Sequence, residues 1–540
     1  MEQHLKTALK LKNNSNPHFY QKRNNIEHAK FKVRQMDLET QDLVKKHLNS
    51  KDFAKFKELT EKTTLYNVPE SLTGELRPYQ KIGYSWLVQN VRYGFGSILA
   101  DDMGLGKTIQ VLSAILYYKE KDFLEDRTVL IIVPPTLISN WENEIKKFTP
   151  DLTYFIYHGS NRSYPLENYD IILTSYGVVR LDLEMFMDEK WFLCVIDEAQ
   201  NIKNPNTEQT KAIKSINARS KVALTGTPIE NKLMDYWSIF DFTNKGYLST
   251  KDDFKKQYVM PIEKLEDEET LMELKTIAKP FVMRRLKTDE DIKSELPEKF
   301  VNDLYCTLTK KQIKLYNAIL EEIFFDIENS KGIQRKGIIL KILTALKQAC
   351  NHPAQFLAIK NPKISDSGKM ELLVSLLENI MANDEKVIIF TQYVEMGKLI
   401  QDMISKKFKQ EVLFLHGSQT LKEKTRIIDT FQEDENYKIF VATLKTGGTG
   451  LNLTAAQNVI HYDLWWNPAV ENQATDRVHR IGQEKDVMVY RLITKGTLEE
   501  TIDAISKHKT DLAAKSISND ETFLTEMTNK ELKEVLKLRL

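Results

Sequence analysis

The residues best suited to chemistry form a glycine-rich run at positions 100–108, with the sequence ADDMGLGKT. The run follows a short apolar stretch and opens a predicted helix, which is the setting in which a glycine-rich loop binds phosphate. Gly104 and Gly106 allow backbone N–H groups to surround polyphosphate oxygens. Lys107 supplies a positive charge for the outer phosphates, and the hydroxyl of Thr108 can ligate Mg²⁺. The run therefore predicts a site that binds and splits a nucleoside triphosphate.

One position departs from the strict phosphate-loop pattern G-x-x-x-x-G-K-[ST]. The pattern requires glycine at position 101, where this chain has Asp101. Taken alone, the run could also be a chance glycine-rich helix start. The nucleotide interpretation therefore needs support from other residues.

A pair of carboxylates follows a second apolar run. Asp197 and Glu198 come directly after residues 192–196, which are typical of a buried strand. In phosphoryl transfer, Asp197 can hold the hydration shell of Mg²⁺ while Glu198 orients or deprotonates the attacking water. An Asp-Glu pair also commonly caps a following helix. The presence of the glycine-rich run favours the catalytic interpretation.

Two arginines in the C-terminal half have helical spacing. Gln473, Arg477 and Arg480 lie at offsets of four and three residues, so they would share one face of a helix. Their guanidinium groups could neutralise charge on a transferring γ-phosphoryl group that is bound by the first half of the chain. The alternative is a solvated or acid-paired arginine face. The complete set of motifs favours the catalytic interpretation.

Two α/β regions must position these residues. Short apolar runs recur and end in polar, Gly or Pro residues, as expected for strands that are buried on both faces and separated by helices. The predicted strands are 97–100, 129–133, 170–173, 192–196 and 222–224 in the first region, and 387–390, 412–415, 439–442, 459–462 and 487–490 in the second. In such parallel sheets ligands bind at the carboxyl ends of the strands, where the glycine-rich run and the carboxylate pair lie.

The remaining segments are predicted to be helical. The predicted domains are a helical N-terminal extension at 1–70, an ATP-binding lobe at 71–245, a helical insertion at 246–365, a second lobe at 366–510 and a C-terminal brace helix at 511–540. The second lobe has no Lys-Thr phosphate loop of its own. We therefore expect one nucleotide site shared by two lobes.

Composition limits the class of protein. The chain has 540 residues with 41% hydrophobic content, and 77 Lys and Arg against 76 Asp and Glu give a net charge of +1. Any nucleic-acid site must therefore be a local patch. Cys194, Cys306 and Cys350 are far apart, which fits a reducing compartment and argues against structural zinc. With no signal peptide or bilayer-spanning stretch, an intracellular protein with no membrane partner is expected.

In order along the chain, these segments resemble the motif series of the Snf2 (SWI/SNF-like) family of superfamily 2 ATPases. The resembling segments are 76–80 (adenine-reading element), 102–108 (motif I), 134–141 (Ia), 174–176 (Ib), 197–200 (II), 224–231 (III), 388–392 (IV), 446–453 (V) and 473–483 (VI), with 350–353 and 463–468 as further family elements. The resemblance implies an α/β fold with two tandem RecA-like parallel-sheet lobes, a helical insertion between them and helical extensions at both ends.

The resemblance also implies roles for individual residues. The implied catalytic residues are Lys107, Asp197, Glu198, Gln473, Arg477 and Arg480. The implied ATP-binding residues are Arg77, Gln80, Asp102, Met103, Gly104, Leu105, Gly106, Lys107, Thr108 and Gly450, with Thr108 and Asp197 as Mg²⁺ ligands. Thr225, Gly226 and Thr227 would couple nucleotide state to lobe movement, although a Thr-Gly-Thr-Pro turn also suits the geometry of a strand end.

DNA contact is expected from the resemblance and from hydroxyl, lysine and glycine residues at the predicted sheet edges, which suit contacts to phosphates. The expected contacts are Thr174, Lys203, Lys445 and Thr446. Two further pairs have open alternatives. Trp465 and Trp466 could stack on bases, but packing in the second lobe is favoured. Cys350 and His352 could suggest a metal, but packing is again favoured.

The function implied by the resemblance is an ATP-dependent, Mg²⁺-requiring translocase on double-stranded DNA that remodels or displaces bound protein. RNA polymerase is a candidate protein partner, and a monomer in the bacterial cytoplasm at the nucleoid is expected. Gln200 replaces the commoner histidine of motif II, and the residues after it resemble bacterial members. The alternatives are a strand-separating helicase of the same superfamily and a non-hydrolysing scaffold that binds DNA or polymerase.

Overall fold

The computed structural model describes residues 44–539 apart from 62–63, 125–126, 160–161, 164–168, 227–232, 294, 329, 331, 358, 444–451 and 505–521. The described residues form two compact units, and the first ends at Lys293. Each unit has its own parallel sheet. The predicted fold class, with two parallel α/β lobes, is confirmed.

The first unit is built on a parallel sheet in the order β3-β4-β2-β5-β6-β1-β7. Its strands are β1 (Ser97–Leu99), β2 (Val129–Val133), β3 (Tyr154–Tyr157), β4 (Ile171–Ser175), β5 (Trp191–Ile196), β6 (Ala218–Leu224) and β7 (Val282–Met283). Alternate residues of β2 belong to two different hydrophobic clusters, with Leu130 in one and Ile131 in the other. The sheet is therefore buried on both faces, which explains the continuous apolar runs in its central strands.

Helices surround this sheet. They are α1 (Ser50–Glu61), α2 (Pro78–Tyr93), α3 (Lys107–Glu120), α4 (Ile138–Phe148), α5 (Tyr176–Leu181), α6 (Leu183–Asp188), α7 (Glu208–Ser215), α8 (Leu233–Thr243), α9 (Lys251–Phe254), α10 (Met260–Lys264), α11 (Glu268–Ala278) and α12 (Glu290–Lys293). Single turns of 3₁₀-helix occupy Pro135–Leu137, Ala199–Ile202 and Lys279–Phe281, and a π-helical turn occupies Lys255–Val259.

The second unit has a parallel sheet in the order β10-β11-β9-β12-β13-β8. Its strands are β8 (Lys299–Cys306), β9 (Val387–Thr391), β10 (Leu413–Leu415), β11 (Ile439–Thr443), β12 (Asn458–His461) and β13 (Val487–Thr494). Its helices are α13 (Lys310–Glu328), α14 (Gly332–Asn351), α15 (Pro353–Leu357), α16 (Gly368–Ala382), α17 (Val394–Phe408), α18 (Leu421–Glu433), α19 (Pro468–Thr475), α20 (Thr522–Glu526) and α21 (Asn529–Leu536), with a 3₁₀ turn at Ile364–Asp366. Ile388 and Ile389 belong to clusters on opposite faces.

All ten predicted strands are present, with ends that differ by a few residues. Three further strands, β3, β7 and β8, were not predicted, and they lie at the edges of the two sheets. Edge strands need not be apolar on both faces, and β8 has three exposed residues at its start. β7 is only two residues long, so it has no recognisable pattern.

Segments predicted as purely helical also differ from the prediction. The insertion predicted at 246–365 is mainly helical, but it contains β7 and β8, and the division between the two units falls within it. Of the single brace helix predicted at 511–540, the described residues 522–539 contain two helices, α20 and α21, and Thr528 caps α21 through a reciprocal interaction with Glu531. Leu532 and Leu536 of α21 are buried in a cluster of the second unit. Among the described helices, none has the length and apolar character needed to cross a bilayer.

Candidate nucleotide site

Three neighbouring strands of the first sheet bring their carboxyl ends to one edge. In the parallel register Leu99 of β1 lies opposite Leu224 of β6, and Ile196 of β5 lies opposite Ala223 of β6. The N–H of Thr225 donates to the carbonyl of Leu99 at 3.2 Å. The glycine-rich loop after β1, the carboxylates after β5 and Thr225 after β6 therefore lie at the same edge.

The glycines of the loop are required by its shape. Gly104 and Gly106 have φ values of +84° and +74°, in the left-handed region that glycine enters most readily. A Cβ atom on Gly106 would lie 2.4 Å from the side-chain nitrogen of Gln80. The loop therefore passes close to α2 and then enters α3, whose first N–H groups have no partner within the helix and favour an anion.

Lys107, the first residue of α3, lies among carboxylates. Its ammonium group donates to the carbonyl of Asp101 at 2.7 Å and to that of Asp102 at 3.3 Å. Burial lowers the pKa of Lys107, while the charges of Asp101, Glu198, Asp197 and Asp102 act in the opposite direction. The lysine and the carboxylate pair after β5 are thus brought within electrostatic range of each other.

Asp197 is held at the end of β5 by two donors. The indole N–H of Trp141 donates to its Oδ2 at 2.9 Å, and the N–H of Glu198 donates to its Oδ1 at 2.8 Å. Burial and the neighbouring Glu198 charge raise the pKa of Asp197 to about 6, and the Trp141 hydrogen bond and Lys107 limit this rise. Trp141 was within the motif Ia resemblance, but its contact with the carboxylate was not predicted.

Glu198 connects the carboxylate pair to the end of β6. Its φ of +52° is uncommon for a residue with a side chain. The amide of Gln200 donates to Glu198 Oε2 at 2.7 Å, and the hydroxyl of Thr225 donates to Gln200 Oε1 at 3.4 Å. The next residue, Gly226, leaves room for the loop, since a Cβ there would lie 2.9 Å from Met103 Cγ. The three segments resembling motifs I, II and III are therefore in contact through side chains.

The predicted adenine-reading element packs on the loop. The side-chain amide of Gln80 and the hydroxyl of Tyr79 both donate to the carbonyl of Leu105, each at 3.2 Å. The N–H of Arg77 donates to Gln80 Oε1 at 2.9 Å. Gln80 is thus fixed between the loop and the start of α2. Its contact with adenine stays a prediction.

Asp101 has a partner that the sequence analysis missed. Its carboxylate is fully buried and pairs with the guanidinium of Arg285, which follows β7. Arg285 lies within the segment 246–365, which was predicted to be a helical insertion. The signal that could have found this arginine is the aspartate itself, because a carboxylate at a position expected to be glycine in a buried loop requires a cation.

The arginine motif of the second unit is not one continuous helix. Gln473 lies on α19, but that helix ends at Thr475, and Arg477 and Arg480 follow in a turn. Beyond the helix end, the N–H of Leu453 donates to the carbonyl of Arg477 at 3.0 Å. The three side chains would share one face only if residues 473–480 formed one helix, and that condition is not met. The contribution of these arginines to the nucleotide site stays a prediction.

The two pairs of residues in the second unit with open alternatives both have packing contacts. Trp465 and Trp466 each pack against a hydrophobic cluster, and the Lys347 ammonium lies 5.4 Å from the Trp466 ring centre. Cys350 is fully buried in a cluster. Both ring nitrogens of His352 have backbone partners, namely the N–H of Ala354 and the carbonyl of Lys363.

One predicted DNA contact needs correction. Thr174 is fully buried, and its hydroxyl donates to the carbonyl of Tyr157 at 2.8 Å, so it supports the pairing of β3 with β4 instead of facing a ligand. Lys203 is half-buried after the 3₁₀ turn, and its role stays a prediction. Four predicted site residues lie outside the described part of the chain: Thr227, Lys445, Thr446 and Gly450.

The donors near Lys107 suit a Mg²⁺ ion that arrives with a nucleotide. Mg²⁺ prefers oxygen ligands and is commonly held by one or two carboxylates together with phosphates and water. The Asp197 carboxylate and the Thr108 hydroxyl, in the first turn of α3, are the oxygen donors predicted here. Asp197 Oδ1 and Oδ2 each accept one hydrogen bond within the protein, which leaves lone pairs for a further partner.

Comparison with known families identifies both units. A family model described as the SNF2-related domain matches residues 79–355. A second, described as the helicase conserved C-terminal domain, matches residues 368–482. The two matches together include every site residue discussed above except those before residue 79, such as Arg77.

Curated relatives and solved structures are also similar. The chain is 43% identical over 489 residues, 88% of its length, to 53% of a putative ATP-dependent helicase/translocase, YwqA, of Bacillus subtilis. It is 33% identical over 563 residues, 91% of its length, to 30% of the TATA-binding protein-associated factor MOT1 of Saccharomyces cerevisiae. It thus spans about half the length, or less, of the curated relatives it matches. The SWI2/SNF2 ATPase core of Sulfolobus solfataricus in complex with dsDNA aligns at 42% identity and TM-score 0.45, covering 88% of this chain and all of that one.

The raised pKa of Asp197 predicts that this residue lowers stability at neutral pH. The folded chain holds a proton on Asp197 up to about pH 6, whereas the group ionises near 3.8 in the unfolded chain. Stability therefore falls as pH rises through that interval. Asparagine removes the charge, but its amide nitrogen cannot accept the hydrogen bond from Trp141 or from the Glu198 N–H, so Asp197→Asn carries a pH-independent cost of about 1 kcal/mol. Relative to wild type, its free energy of unfolding is expected to rise by about 2 kcal/mol between pH 4 and pH 7.5. Urea unfolding of the ligand-free chain, followed by tryptophan fluorescence, measures both values.

A matched control makes the same chemical change on the exposed surface. Asp151 is exposed, so Asp151→Asn is expected to leave the pH dependence of unfolding unchanged. An Asp197→Asn variant whose stability relative to wild type is the same at pH 4 and pH 7.5 would contradict the raised pKa of Asp197.

Proposed function

We propose a motor function from one premise: the chain belongs to the SNF2-related family of helicase-type ATPases. We propose that it hydrolyses Mg²⁺-bound ATP and uses the energy to move along double-stranded DNA and to remodel or displace bound protein. The observation that carries this proposal is the convergence, at one sheet edge, of Lys107, the carboxylates Asp197 and Glu198, and the Gln200–Thr225 contact.

The reaction is the attack of water on the γ-phosphorus of ATP. The water oxygen forms a bond to phosphorus, the bond from phosphorus to the β,γ-bridging oxygen breaks, and ADP and phosphate are the products. Lys107 would neutralise charge on the outer phosphates. Glu198, whose carboxylate is oriented by the Gln200 amide at 2.7 Å, would accept the proton of the attacking water. Mg²⁺, when bound by Asp197 and Thr108, would offset the charge of the β- and γ-phosphates.

The same contacts supply a route from chemistry to movement. Glu198 touches Gln200, which touches Thr225 at the end of β6. Gly226 then packs on Met103 of the phosphate loop. A change in charge or geometry at the γ-phosphate would therefore alter β6, whose chain continues into residues 227–232. We propose Thr225, Gly226 and Thr227 as the coupling residues on this basis.

Arg477 and Arg480 are proposed to complete the site from the second unit. Guanidinium groups stabilise the charge that spreads over the γ-phosphoryl oxygens during transfer, and they do so best with fixed geometry. Arg477 is 5% exposed, and its backbone carbonyl is tied to Leu453. Its backbone is therefore held in place without a continuous helix.

The nucleic-acid and protein partners are part of the proposal. Double-stranded DNA is proposed from family membership and from the name of the Bacillus relative as a helicase/translocase. The name of the yeast relative associates it with TATA-binding protein. For this chain we propose displacement of a DNA-bound protein, with RNA polymerase as a candidate, by a monomer acting at the bacterial nucleoid.

ATP hydrolysis by this chain is expected to respond most to duplex DNA. Phosphate release measured without nucleic acid and with single-stranded DNA, duplex DNA or RNA should be fastest with the duplex. Glu198→Gln tests the proposed base, since it keeps the size of the side chain and an oxygen that can accept from Gln200 but removes the carboxylate. It should lower the stimulated rate by about 10²- to 10⁴-fold while ATP binding survives.

Three results would oppose this assignment. Equal rates in all four conditions would remove DNA as the activator. Unchanged turnover in Glu198→Gln would exclude Glu198 as the base, and an inactive wild type that binds duplex DNA would favour the scaffold alternative.

A second experiment separates translocation from strand separation. A translocase that moves along an intact duplex should displace a third strand from a triplex in an ATP-dependent manner, yet release no single strands from a duplex with a single-stranded overhang. Both substrates can be labelled and resolved by native gel electrophoresis. Release of single strands at a rate similar to triplex displacement would support the strand-separating helicase instead.

Arg480 is expected to act on turnover and not on ATP binding. Arg480→Ala should lower kcat by on the order of 10³-fold, because it removes charge stabilisation that is needed in the transition state. The control is Arg426→Ala, the same change at an exposed position of α18 in the same unit, which should leave kcat unaltered. Near-native turnover of Arg480→Ala in the duplex-stimulated assay would remove this residue from the site.

A further inference from the structure

Asp101 of the phosphate loop and Arg285 form a buried ion pair with two hydrogen bonds. The Nε of Arg285 donates to Asp101 Oδ1 at 2.9 Å, and a terminal nitrogen of the same guanidinium donates to Oδ2. The Asp101 side chain is 0% exposed and that of Arg285 is 14% exposed. Two parallel hydrogen bonds between such groups fix both position and orientation.

The remaining donors of Arg285 reach the two helices that enclose the loop. One terminal nitrogen donates to the carbonyl of Tyr79 in α2, and the other donates to Gln110 Oε1 in α3 at 2.6 Å. The guanidinium carbon also lies 5.1 Å from the centre of the Tyr79 ring. Space for this arrangement depends on Gly83, where a Cβ would lie 2.0 Å from Gln110 Oε1 and 2.7 Å from an Arg285 nitrogen.

Backbone hydrogen bonds join the same two segments. The N–H of Ala100 donates to the carbonyl of Met283 at 2.7 Å, and the N–H of Asp102 donates to the carbonyl of Arg285 at 2.9 Å. The N–H of Lys287 donates to Asp102 Oδ2 at 3.0 Å. Residues 100–102 are therefore tied to residues 283–287 on both sides of the ion pair.

The tied segment also holds the catalytic lysine. Lys107 donates to the carbonyls of Asp101 and Asp102, so a shift of these two residues would shift its ammonium group. Gln110, which accepts from Arg285, also donates to the carbonyl of Gly106 at 3.1 Å. Arg285 thus acts on both ends of the loop.

We propose that Arg285 is a positioning residue for the ATP site: it anchors Asp101 and so fixes the loop conformation that binds the phosphates. The inference rests on the proposed ATP site but not on DNA translocation. It also explains the departure from the strict phosphate-loop pattern, because Asp101 occupies the glycine position as the anchor for this arginine. Arg285 itself does not have to touch the nucleotide.

The test compares ATP affinity, turnover and stability in a set of variants. Arg285→Gln removes the charge and leaves Asp101 buried without its cation, and it is expected to weaken ATP binding by at least about tenfold. Arg285→Lys keeps the charge but lacks the two-pronged geometry, so its loss should be smaller. Asp101→Asn combined with Arg285→Gln should bind ATP better than Arg285→Gln alone, since no unpaired charge remains.

Arg162 supplies a matched control in the same unit. It forms a two-pronged pair with Asp182, with hydrogen bonds of 2.5 and 2.8 Å, and lies over the ring of Tyr157 at 5.8 Å. Tyr157 belongs to β3, which forms one edge of the sheet, whereas β7 forms the other edge with β1 beside it. Arg162→Gln should lower the melting temperature and leave ATP affinity and kcat unchanged.

Equilibrium binding of ATP, kcat with duplex DNA and melting temperature are measured for each chain. Wild-type affinity in a folded Arg285→Gln would overturn the inference. If that variant does not fold, Arg285→Lys decides: wild-type ATP affinity together with a lowered melting temperature, as in Arg162→Gln, would show a merely structural role and overturn it. A wild-type chain that does not bind ATP would instead overturn the proposed function, and this inference with it.

Discussion

The interaction on which the first unit depends is the pairing of buried charges at the carboxyl edge of its sheet. Asp101 is fully buried there and Lys107 and Asp197 are half-buried, and removing a charge from water is costly unless it is paired or hydrogen-bonded. Each has fixed partners: backbone carbonyls for the lysine, Arg285 for Asp101, and Trp141 with a backbone N–H for Asp197. Arg285 and Trp141 come from distant parts of the chain, so the complete site exists only when the sheet is assembled.

The same edge departs from relaxed structure in ways that suit a reactive site. Glu198 has a left-handed backbone, and the pKa of Asp197 is raised by burial and by its neighbour. Such features lower stability locally and persist because the surrounding sheet determines them. The parallel register of β5, β6 and β1 supplies this support. The left-handed Glu198 and the raised pKa of Asp197 thus lie where phosphate chemistry is proposed, while the cores on both faces of the sheet are apolar.

The central strands could be predicted because their burial is visible locally. A strand covered on both faces is a continuous apolar run, and each of the ten runs found in the sequence is a strand. The edge strands β3, β7 and β8 escaped because exposed or very short strands lack such a run. Helix ends were less predictable because contacts with residues outside the helix are not visible in a local pattern. α19 ends at Thr475, and beyond this end the carbonyl of Arg477 accepts a hydrogen bond from the N–H of Leu453.

The sequence by itself determined the types of residue in the nucleotide site and their order, because a phosphate loop and a carboxylate pair are each encoded within a few adjacent residues. It also determined that both lobes are parallel α/β structures. Only the tertiary structure decided which distant side chains complete the loop. Arg285 lies 184 residues from Asp101, and Thr174 is directed into the sheet instead of outward. Such pairings depend on strand order and register, which no local pattern in the chain contains.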